Sequence, residues 1–130
     1  MIINLQSRGI FREMLSRRFL KIAAGLSLFF WALSIALPAW QVVPGIVGKT
    51  AVPLHYNIHF GIDMVGPWWQ IFVVPGIGLL FIILNLLAAR LTWPRDPMLS
   101  FTIAAATVVI EVLLFVGMIF IVFLHLSYGV

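Results

Sequence analysis

The sequence predicts an all-α membrane protein: three transmembrane helices with an extended, structured extracytoplasmic loop between the first and second. Three observations carry that prediction. No ionised side chain lies between Lys21 and Lys49 or between Asp63 and Arg90, and Glu111 is the only one after Asp96. Crossing ~30 Å of hydrocarbon at ~1.5 Å per residue takes roughly 20 apolar residues, and each run is long enough. The 130 residues are 63% hydrophobic and 9% charged, against about 25% charged in a soluble domain. Finally, all the basic residues except Lys49 gather on one side of the runs.

Residues 1–21 are expected to form a cytoplasmic, basic, amphipathic segment. Arg8, Arg12, Arg17, Arg18 and Lys21 stand there against Glu13 alone. Ile10, Phe11, Met14, Leu15 and Phe19 have the spacing of a short helix lying on a membrane surface. Residues 22–130 form the three-span domain, with spans at about 22–39, 68–90 and 101–124. In the first span Ala23, Gly25, Ser27 and Ser34 permit close helix approach, and Pro38 and Trp40 close it at the interface.

Residues 41–67 form the longest non-spanning stretch. The second span opens at Trp68-Trp69, with Pro67 in its first turn. Pro75 falls inside it and is expected to kink it, with Gly76 and Gly78 loosening the same turn. Trp93-Pro94-Arg95-Asp96-Pro97 reads as a helix-breaking connection to the third span.

The basic tail and the Arg90/Arg95 turn share a side, so the positive-inside rule predicts a cytoplasmic N-terminus and an extracytoplasmic C-terminus. The expected location is the bacterial cytoplasmic (inner) membrane. Ser16-Arg17-Arg18-Phe19 is similar to a twin-arginine signal but lacks the residue between the arginines and the phenylalanine. Ser34-Ile35-Ala36 has a small-x-small spacing, but the apolar run before it exceeds the ~7–15 residues of a signal peptide. An uncleaved first span is expected.

The net charge of +4 reflects topology signals rather than a nucleic-acid surface, because no basic patch alternates with aromatics. The expected partners are membrane lipid and a protein partner or a second copy, with no nucleic acid. Cysteine is absent, which excludes disulfides and thiolate metal sites. There is no Gly-rich phosphate loop, no Ser-x-x-Lys and no G-x-S-x-G. The expectation is therefore a non-enzymatic protein without a cofactor.

Two places could carry function. From Pro53 to Asp63, apolar Leu54, Tyr56, Ile58 and Phe60 alternate with His55, Asn57, His59 and Gly61, which fits an extended segment with two faces. His55, His59 and Asp63 raise a metal hypothesis, since imidazole and carboxylate suit zinc or a similar ion. Along a straight strand the two histidines stand ~13 Å apart. One ion could join them only if the segment reversed, and Gly61 is the place for that. The alternative is that these side chains hydrogen-bond the backbone of a structured loop.

Glu111, close to mid-membrane in span three, is the second place. A carboxylate there costs roughly 2.5–3.5 kcal/mol on insertion scales, so it must face protein or water, and the neutral acid is the cheaper form to bury. It is either a proton or ligand site, or a structural group hydrogen-bonded to another span. Ser27 and Ser34 are the nearest candidates for that bond, while Asn85 lies nearer the cytoplasmic face.

Pro53-x-His55-Tyr56-Asn57, followed by Gly61, Asp63 and Gly66 just before a span, resembles a small bacterial membrane domain. That domain carries Pro-x-His-aromatic-Asn-x-x-Gly-x-x-Asp-x-x-Gly between its first two spans and forms the N-terminal part of SdpI-type membrane proteins. The match covers roughly residues 37–87. Gly61 sits one residue late, and Pro67-Trp68 replaces the basic residue that often follows the last glycine. The resemblance implies an accessory role of the immunity or signalling kind. Recognition of a protein, peptide or envelope partner by the loop is the function expected, and a proton- or ion-conducting oligomer using Glu111 is the alternative.

Overall fold

The computed structural model describes the backbone of residues 3–128 and the side chains of residues 18–127. In chain order it contains α1 (Ile3–Gln41), α2 (Val43–Ile46), β1 (Val52–Asn57), β2 (Gly61–Gly66), a 3-10 turn (Trp68–Phe72), α3 (Val73–Thr92) and α4 (Pro97–Tyr128). Three helical segments are long and apolar enough to cross a membrane: Arg18–Gln41, Trp68–Thr92 and Pro97–Ser127. The all-α expectation needs one amendment, because the stretch between the first two spans folds into a two-stranded antiparallel sheet.

The interior of the bundle is built from small and polar residues. Buried positions on α4 recur at Ser100, Ala104, Thr107, Glu111, Met118, Val122 and His125, a three-and-four spacing that keeps one stripe turned inward. The facing positions are Ala23, Ser27, Ser34 and Pro38 on α1 and Pro75, Gly78, Ile82 and Ala89 on α3. The large apolar side chains, such as Phe29, Leu80, Leu84, Leu113 and Phe120, point outward. Lipid tails solvate leucine as well as protein does, so close backbone approach and polar contacts hold such helices together.

At the basic end of the bundle, Phe19 of α1 packs on Phe101 of α4 at 4.3 Å, and Trp93 meets the same ring at 5.7 Å. Ser100 Oγ donates a short hydrogen bond to the Ala89 carbonyl. Asp96 Oδ1 accepts from the Leu99 amide at 3.0 Å, and Pro97 takes the first helical position of α4. At the opposite end, Val42, Ile46, Val52, Ile71, Met118 and Val122 form one cluster that joins α2, the sheet and the helix ends. The sheet is thereby seated on the bundle.

The basic segment and the first span lie on one helix, α1, from Ile3 to Gln41. The side chains of Ile10, Phe11, Met14 and Leu15, on which the surface-helix expectation rests, lie outside the described residues. Pro38, expected to close the first span, does not end α1. It removes one backbone bond, but its own carbonyl still accepts from the Val42 amide at 2.9 Å and the helix runs on to Gln41. Pro75 lies inside the second span, as expected, but at the junction where the 3-10 turn passes into α3 at Val73 rather than in the middle of the α-helix.

Candidate functional site

The sheet is a hairpin centred on His59. Val52 pairs with Gly66, Pro53 with Val65, Tyr56 with Ile62 and Asn57 with Gly61. The register is displaced at the middle, where His55 pairs with Met64. The reversal uses the three residues Ile58–Phe60 and closes on Gly61, whose φ of 76° is the left-handed value that glycine adopts without a steric penalty. Asn57 sits at the start of the turn, and its Oδ1 accepts a hydrogen bond from the His59 amide at 2.9 Å.

The same reversal brings His55 and Asp63 together, with Nδ1 and Oδ1 2.7 Å apart across the strands. Their side chains are 62% and 36% exposed, so the pair borders solvent. His59 stays at the tip, its ring 6.5 Å from that of Phe60. The fold-back that a shared ion would require is present, but it delivers His55 to Asp63 and leaves His59 apart. Among the described residues no three His, Asp or Glu side chains are grouped to hold a metal.

Of the other motif residues, Pro53 is buried at the base of β1, and Tyr56 is 43% exposed. Gly66 lies where the chain turns into the 3-10 segment. A methyl group there would run into the Gln70 side-chain oxygen and come within 2.8 Å of Leu54 Cδ1. The apolar tip points away from the bundle, with Ile58 84% and Phe60 83% exposed.

Glu111 is enclosed within the single chain at 1% exposure. Its carboxyl lies against Gly78 of α3, where the missing side chain makes room for it. Phe30 and Phe115 pair α1 with α4 at 5.8 Å. Three residues back from Phe30 is Ser27, and four back from Phe115 is Glu111, so the two polar groups share a level. Among the described residues Ser27 Oγ and Glu111 Oε1 are buried with no hydrogen-bond partner. Ser34, the other expected partner of Glu111, instead donates to the Trp31 carbonyl at 2.7 Å. Asn85 is half-buried and lies two helical turns from Gly78, towards Arg90.

Two contributors escaped the sequence reading. Trp31 Nε1 donates to the Pro75 carbonyl at 3.0 Å and ties α1 to α3. His125 is 3% exposed; its Nδ1 donates to the Ile121 carbonyl at 2.9 Å, while Nε2 is buried and unpartnered. The signal for His125 was its place in the α4 stripe, three residues after Val122 and seven after Met118. Comparison of the chain with protein-family models, with curated proteins and with solved structures finds no match.

Proposed function

We propose that the chain is a small, non-enzymatic protein of the bacterial cytoplasmic membrane whose hairpin recognises a protein or peptide partner on the extracytoplasmic side. The observation that carries this reading is the form of the hairpin. Its base is buried in the cluster around Ile46, Val52 and Met118, its strands are linked through His55 and Asp63, and its tip exposes Ile58 and Phe60. A rigid mount with exposed aromatic and aliphatic groups is how a recognition loop limits the entropy it loses on binding. The resemblance of Pro53, His55, Tyr56, Asn57, Gly61, Asp63 and Gly66 to the SdpI-type motif supports an accessory immunity or signalling role. In this reading those residues set the shape of the hairpin, and Ile58 and Phe60 make the contact.

The test is photocrosslinking in native membranes from a reactive amino acid placed at Ile58 or Phe60, with Trp40, also 81% exposed, as the control position. A discrete protein adduct at the tip and none at Trp40 is expected. Lipid adducts alone at all three positions would remove the reading.

The unpartnered Ser27 Oγ and Glu111 Oε1 favour a second reading, proton or ion movement through an oligomer. It requires a flux in proteoliposomes that Glu111→Gln abolishes while assembly is retained. No flux in the wild-type protein would end it.

A further inference from the structure

Beneath the hairpin runs a groove of about 640 Å³. Leu54, His55 and Tyr56 of β1 roof it, Val74 of α3 forms one side, and α4 forms its length. We infer that this groove binds one acyl chain of a bilayer phospholipid, with the lipid's polar end beside His55 and Ser127.

The argument rests on depth and on where polarity sits. Along α4 the lining begins at Leu113, two residues past Glu111 and near the middle of the span, and ends at Ser127. At ~1.5 Å per residue that is about 21 Å, half the ~40–45 Å of a bilayer with its headgroups. Over this depth Leu114, Gly117, Phe120 and Leu124 present an apolar wall. Polar groups enter the lining only through His55 and Tyr56 of the hairpin and Ser127 near the end of α4. The groove is therefore graded as a lipid is, apolar towards the midplane and polar at one end.

The space also selects the occupant. A helix ~10 Å across and about 21 Å long has a volume of roughly 1,600 Å³, larger than the groove, so only part of it would seat there, whereas an extended hydrocarbon chain follows the whole lining. Leu113 and Phe120 on the rim are 64% and 69% exposed, so the groove opens sideways, the direction from which a lipid in the surrounding leaflet would arrive.

Gly117 provides the test. It lines the groove, and a Cβ built on it meets nothing within 4 Å, so Gly117→Leu starts its side chain into open space on the groove wall. Gly76 on α3 has the same free space and does not line the groove, which makes Gly76→Leu the control. The protein is reconstituted in vesicles containing phosphatidylcholine with a diazirine at the end of one acyl chain, then illuminated and mapped by mass spectrometry. Labelling between Leu113 and Phe123 is expected in the wild-type protein and in Gly76→Leu. In Gly117→Leu it should fall by about tenfold or more, because the new side chain displaces several methylenes of the lipid. Equal labelling of all three proteins overturns the proposal, since the lipid is then only bulk solvent. Equal loss in both variants also overturns it, because the label would then report the fold and not the groove.

Discussion

Replacing Gly78 with alanine tests how α3 and α4 meet. A methyl at Gly78 would stand 3.0 Å from Glu111 Oε2, 3.1 Å from Leu114 Cδ1 and 3.2 Å from Glu111 Oε1, against the 3.4–4 Å of ordinary contact. Overfilling a packed interior costs about 1–3 kcal/mol. Alanine's better helix propensity returns about 1 kcal/mol, leaving a net destabilisation of about 0–2 kcal/mol. The single substitution is thus a blunt probe, and a double-mutant cycle with Glu111→Asp sharpens it. Aspartate withdraws the carboxyl by one methylene, which leaves a small void beside Gly78 but makes room for the added methyl in the Gly78→Ala background. The propensity difference is the same in both backgrounds and cancels. The cycle should show a favourable coupling of about 1–2 kcal/mol, well above the ~0.5 kcal/mol within which independent sites add. Reversible unfolding in mixed micelles, followed by the fluorescence of the five tryptophans, measures it. Additivity would show that the Glu111 carboxyl does not occupy the space left by Gly78.

Gly61→Ala should destabilise the hairpin by about 1–2 kcal/mol, the penalty for a Cβ in the left-handed region, seen as faster amide exchange across residues 52–66 with the helices unaffected. Asn57→Ala should cost about 0.5–1.5 kcal/mol by the same measurement, while Asn57→Asp, which keeps an acceptor for the His59 amide, should cost less; equal effects would exclude that bond. Trp31→Phe removes the donor to the Pro75 carbonyl and should lower unfolding stability by about 1 kcal/mol, whereas an unchanged protein would show that packing alone holds α1 on α3. Because the chain has no cysteine, single cysteines report topology cleanly: Lys49→Cys should react with an impermeant maleimide on intact cells and Arg95→Cys only after permeabilisation. The reverse pattern would invert the expected orientation.

The three spanning helices were legible because absence of charge over some twenty residues has few other solutions. The hairpin was not. Its alternation from Leu54 to Gly61 reads as one continuous strand, and the turn carries Ile58, His59 and Phe60 in place of the usual Asn-Gly pair, so only Gly61 hinted at reversal. Pro75 falls inside the span as expected, but hydropathy marks where a span begins and not where α-geometry starts. The Trp68–Phe72 segment has 3-10 geometry, which moves the helix start to Val73. Glu111 was found from its depth alone, while its neighbour was not. A glycine in an apolar run carries no sign of what packs on it, so Gly78 emerged only from the backbone approach.

The packing of α1 on α4, more extensive than that of α1 on α3, bears on how the molecule is made. Of the three spans, α1 leaves the ribosome before α3, and α4 after both. At ~5–20 residues per second, Ser27 precedes Glu111 by on the order of 10 s. In that interval the first span waits in lipid with its inner face uncovered, at a lower cost for small, singly polar side chains than for a carboxylate. Glu111 arrives last, into a surface that α1 and α3 have already formed. A chain stopped before α4 would leave the inner face of α1 exposed to lipid and to membrane proteases, so the arrival of α4 becomes the checkpoint for survival of the bundle.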